Sequence, residues 1–156
     1  MRPMVLAMRT LVLVTVLGSL LAAGCGSGAA ESTPHVPVGQ FTRKVNAVCT
    51  AFDKSIKDLG TPKTLPQLVS YFDRWKPKMQ AALLEMRQVP APSARSARFH
   101  GWIDHTNALL GSVDELRDAA ARGDAAMVQK KGAELDAQTK ALDRTARSLG
   151  LSDCTG

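Results

Sequence analysis

The stretch AAMVQKKGAELDAQTKALDRTARSL, from Ala125 to Leu149, sets the fold class. Its residues Ala125, Val128, Gly132, Leu135, Thr139, Leu142, Ala146 and Leu149 recur at alternating steps of three and four, the spacing of a helix lying along the seam of a left-handed bundle. Gly123-Asp124 ahead of it forms a sharp turn in which Asp124 caps the helix. Gly150 behind it is a stop, with Leu151 folding back as the apolar partner of a Schellman turn.

Three more segments with the same periodicity lie upstream. The third helix carries Phe99, Trp102, Ile103, Thr106, Leu109, Leu110, Val113 and Leu116 and runs to about Arg122. It follows the turn Val89-Pro90-Ala91-Pro92-Ser93, where Ser93 is the expected N-cap. The second opens with Thr64 and Gln67 at capping-box spacing and Pro66 in the first turn, and its stripe is Leu65, Leu68, Phe72, Trp75, Met79, Leu83 and Met86. Pro77 falls inside that stripe and is expected to bend the helix or split it after Trp75. The first, Gln40 to Leu59, places Phe41, Val45, Val48, Phe52, Ile56 and Leu59 on one face and stops at Gly60, with Pro62 following. Gly101, Gly111 and Gly132 are expected to let helices approach closely.

Four helices of comparable length joined by short turns predict an all-α, up-down-up-down four-helix bundle over residues 40–156. About 115 residues supply one modest core.

The first 24 residues have a different character. Arg2 and Arg9 precede an apolar core from Leu11 to Leu21, too short to span a bilayer, and small residues follow. This is the layout of a secretory signal peptide, with Met4 and Met8 as further possible starts. Its end, Leu21-Ala22-Ala23-Gly24-Cys25, resembles the lipobox of bacterial lipoproteins. That resemblance implies a diacylglyceryl thioether on Cys25, cleavage before it, and a location on the extracytoplasmic face of the cell membrane. Two acyl chains give stable anchoring. Ala22 stands where the family most often has leucine, and cleavage at an ordinary secretory site is the alternative.

With Cys25 consumed by lipid, two of the three cysteines remain, Cys49 and Cys154, as a single expected disulfide in a compartment where disulfides persist. In an up-down-up-down bundle the start of the first helix and the end of the fourth share one end of the molecule, which brings Cys49 within reach of the tail. No CxxC spacing points to a redox role.

The run GSGAAESTPHVPVG, Gly26 to Gly39, reads as a flexible tether between Cys25 and the helical domain, with His35 an exposed linker residue. The formal charge of +6 falls to +4 without Arg2 and Arg9, and the excess is spread along all four helices. Export removes nucleic acid as a partner. The membrane, through the anchor, and an envelope protein or wall component are the expected ones.

The chain resembles a group of small actinobacterial lipoproteins. The resemblance rests on the lipobox, the Ser/Gly/Pro-rich tether, the first-helix context Asn46-Ala47-Val48-Cys49 and the ending Gly150-Leu151-Ser152-Asp153-Cys154. It implies a fold and an address, not an activity.

No GxSxG, HExxH, phosphate loop, zinc spacing or EF-hand loop occurs, and no cofactor is expected. His100 and His105 point about 140° apart on a helix and cannot share a metal. His100 and Asp104 are one turn apart, a spacing that could supply two metal ligands but more often marks a surface pair, and Asp114, Asp118 and Arg122 have that of a solvated charge ladder. Trp75, Met79 and Met86 share the interior face of the proline-bearing helix, where thioethers and indole suit an apolar ligand or a soft metal, although methionine and tryptophan at helical spacing are more often simply core. The leading expectation is a non-enzymatic surface module meeting an envelope component. The alternative is a carrier or sensor of a small ligand held near Trp75, Met79 and Met86. An exposed apolar patch favours the first, and an interior cavity beside Pro77 the second.

Overall fold

Four helices form where the apolar stripes repeat, in a computed structural model that describes residues 36–156. They are α1 (Val38–Ile56), α2 (Leu65–Arg87), α3 (Ser93–Ala121) and α4 (Ala125–Leu149). Short 3₁₀ turns occupy Lys57–Leu59 and Ser152–Cys154. Helix accounts for 84% of these residues, no strand occurs among them, and the successive helices pack in up-down-up-down order. The signal segment, the lipidation residue Cys25, His35 and the tether up to that point lie outside the described residues.

The helix ends follow local chemistry. Thr64 Oγ1 accepts from the Gln67 backbone N–H at 3.3 Å, while Gln67 Oε1 accepts from the N–H of Lys63 at 2.8 Å, so the capping box reaches one residue further upstream than its usual form. Gly123 (φ 73°) and Gly150 (φ 79°) each close a Schellman turn. In the first, Gly123 and Asp124 donate to Ala120 and Ala119, and Asp124 then caps α4 by accepting from Met127 N–H at 3.0 Å. In the second, Gly150 and Leu151 donate to Arg147 and Ala146, and the Leu151 side chain is fully buried.

Several local expectations are corrected. α1 begins at Val38, two residues before Gln40, because Pro37 supplies the carbonyl that accepts from Gln40 and Phe41; Val36 already packs on the core. Its last turn, Lys57–Leu59, tightens to 3₁₀. Ser93 is the first helical residue rather than the cap, and Pro92 takes the cap position. Pro77 does not split α2, which runs unbroken through it with the proline exposed. A Cβ added at Gly101, Gly111 or Gly132 meets nothing within 4 Å, so none of them marks a close helix approach.

The core is gathered at one end of the bundle. Phe41 and Val45 from α1, Leu83 and Met86 from α2, Phe99 and Ile103 from α3, and Leu149 from α4 meet there with Leu151 of the tail. Phe41 and Phe99 pack edge to face at 4.8 Å. The far end is thinner because α1 has 19 residues and α3 has 29. On the α4 seam, Ala146 and Leu149 are buried, Leu135 and Val128 half-buried, and Ala125 and Thr139 exposed. Ion pairs tie neighbouring helices: Lys76 to Asp114 at 2.7 Å, Arg117 to Asp73 at 3.0 Å, and Lys131 to Glu115 at 2.6 Å. Asp114 and Asp118 thus find Lys76 and Arg117 rather than forming a ladder with Arg122.

Candidate functional site

α4 packs along α3, and its link to α1 runs chiefly through the C-terminal tail, which leaves a cleft between α2, α4 and the end of the chain. The cleft has a volume of about 280 Å³. α2 contributes Trp75, Met79, Ala82, Leu83 and Met86, which the three-and-four spacing sets on one face. α1 adds Cys49, Phe52 and Asp53; α3 adds Trp102, Thr106 and Leu109; α4 adds Thr139, Leu142 and Asp143. The tail closes one wall with Asp153, Cys154 and Thr155.

The disulfide between Cys49 and Cys154 forms, with Cα atoms 5.1 Å apart, and both residues line the cleft. It staples the tail to the middle of α1. Without it the tail wall would have few ties, chiefly Thr50 Oγ1 donating to Asp153 at 3.4 Å.

Trp75 packs edge to face against Phe52 at 6.0 Å and Phe72 at 6.3 Å, which fixes the plane of its indole. Trp102 lies nearly parallel to Phe99 at 6.2 Å and is 5% exposed. Its indole Nε1–H is buried and has no hydrogen-bond partner, the one such side-chain atom among the described residues. A buried, unpaired donor costs about 1–3 kcal/mol. The Thr106 hydroxyl beside it is satisfied, donating to the Trp102 carbonyl at 2.8 Å.

The residues that the sequence singled out for a ligand, Trp75, Met79 and Met86, are therefore brought together, and Cys49 and Cys154 line the same cleft. The expected link to Pro77 is not found. That residue lines a separate hollow of about 190 Å³ with Asp73, Lys76, Asp114 and Arg117, bridged by their ion pairs. Sequence reasoning missed Trp102, Phe52, Leu142 and the tail as parts of the site. The first three lay on recognised stripes, but which stripe edges face one another depends on how far each helix leans. His100 and Asp104 build no site, since Asp104 accepts from Arg87 at 2.8 Å.

No family model, characterised protein or solved structure matches this chain. No helix among the described residues is long and apolar enough to cross a membrane.

Proposed function

We propose that the protein is a lipid-anchored, extracytoplasmic binding protein that holds a small, largely apolar ligand in the cleft between α2, α4 and the tail. The single observation that carries this reading is the cleft itself, in which Trp75, Met79 and Met86 converge with Trp102 in a largely apolar lining. Apolar walls with few polar groups are the usual make-up of a small-molecule site. The volume, about twice the roughly 150 Å³ of a cavity that holds benzene, suits a ligand on the order of a dozen non-hydrogen atoms. A surface interaction module has less to draw on: Val38 and Leu84 are the exposed large apolar side chains among the described residues, too few for a docking patch. The anchor rests on the lipobox-like ending at Cys25, and the disulfide suits an oxidising compartment.

Native mass spectrometry of the protein released from its own membrane tests both parts. The expected spectrum shows a diacylglyceryl adduct on Cys25, lost in Cys25→Ser, and an additional mass that leaves on denaturation. A native protein with an intact disulfide, no bound mass and no saturable uptake of apolar probes would overturn the binding role. An unmodified Cys25 would overturn the anchor.

A further inference from the structure

We infer that the ligand is cationic: a small amphiphilic amine whose apolar body lies between Trp75, Met79 and Met86 and whose ammonium group stays at the mouth of the cleft. The inference rests on the binding role proposed above and names the chemistry of its ligand. The chain carries a formal +6, yet every charged side chain on the cleft wall is a carboxylate: Asp53, Asp143 and Asp153. Their direct ion pairing is sparse, although Arg43 and Lys54 line a neighbouring hollow with Asp153. The Asp143 side chain is 14% exposed, and its ion-pair partner Arg147 stands off at 3.8 Å. Asp153 accepts from the neutral hydroxyls of Ser152 and Thr50, and Asp53 has no ion pair among the described residues.

These carboxylates come from three different elements, and among the described residues no three His, Cys, Asp or Glu side chains are arranged to hold a metal ion. The field at the mouth thus suits one diffuse organic charge rather than a compact divalent ion. Trp75 and Phe52, held edge to face, add ring faces that attract an ammonium group. An anionic ligand of the same shape would meet three like charges on the cleft wall.

The test uses the full chain in zwitterionic phosphatidylcholine vesicles, titrated with three probes that share one apolar body: phenylbutylammonium, phenylbutanol and phenylbutanoate. Trp75 and Trp102 are the only tryptophans in the chain and both line the cleft, so intrinsic fluorescence reads occupancy directly. The ammonium probe is expected to bind about tenfold more tightly than the alcohol, with the carboxylate weakest. Asp53→Asn, an exposed change with no ion pair to lose, is expected to weaken the ammonium probe about threefold and the alcohol by clearly less. Asp143→Asn should act in the same direction. Equal affinity for the ammonium and alcohol probes, or preference for the carboxylate, would overturn the cationic ligand while leaving the binding role intact. No saturable signal with any probe would remove the binding role and this inference with it.

Discussion

Arg95, in the first turn of α3, donates through Nη1 to the carbonyl of Leu149, the last residue of α4, at 2.6 Å. A cation from one helix thereby satisfies an orphan carbonyl at the C-terminus of another, where the helix dipole favours positive charge. The bond sits beside the Schellman turn at Gly150, whose position a Cβ would bring within 3.7 Å of the same guanidinium. Arg95→Ala is expected to lower stability by about 1–2 kcal/mol, and Arg95→Lys by less, since the charge survives and the fork does not. Urea midpoints of the three proteins measure it; an unchanged midpoint in the alanine variant would mean that water replaces the bond at no cost.

The disulfide acts on both stability and the site. It closes a loop with a sequence separation of 105, for which chain entropy alone gives about 4–5 kcal/mol. Replacing Cys49 and Cys154 with serine is expected to lower Tm markedly. Reductant should do the same to the native chain and nothing to the double variant. Because Cys154 anchors the tail wall of the cleft, probe binding should weaken alongside stability.

The helix count, the stripes, the αL stop at Gly150 and the pairing of Cys49 with Cys154 were legible because each follows from local spacing or from arithmetic on a few residues. Trp75, Met79 and Met86 were legible as a shared face for the same reason. What faces them was not, because Trp102, Leu142 and Asp153 reach the cleft only through the lean of α4 and the path of the tail. Sequence spacing fixes a helix face but not its distance from the next helix. Pro77 misled for a related reason: its missing N–H is accommodated on an exposed face of α2, turned away from the face that carries Trp75 and Met79.

The three mid-helix glycines are a direct test of how open their surroundings are. Gly101, Gly111 and Gly132 lie within α3 and α4, and an added Cβ at each meets open space. Each substitution to alanine should raise stability by about 0.5–1 kcal/mol through helix propensity and lower unfolded-chain entropy. Thermal unfolding of the single and triple variants checks this, and the three effects should add because the sites are well separated along the helices. A loss of stability at Gly132 would show that α4 approaches a neighbour there after all.

Leu149 and Leu135 occupy equivalent positions on one seam of one helix, yet the bundle treats them differently. Leu149 is fully buried in the cluster with Phe41, Phe99 and Ile103, whereas Leu135 is only half-buried and stands outside that cluster. Deleting a buried leucine side chain removes its transfer free energy and leaves a cavity, so Leu149→Ala should cost about 3–4 kcal/mol. Leu135→Ala loses less area and leaves no enclosed void, and should cost about 1 kcal/mol. The same gradient should appear in native-state hydrogen exchange, with amides around Val128 to Leu135 opening at lower free energy than those around Ala146 to Leu149. Equal costs for the two leucines, or uniform protection along α4, would mean that the far end of the bundle packs as tightly as the near one.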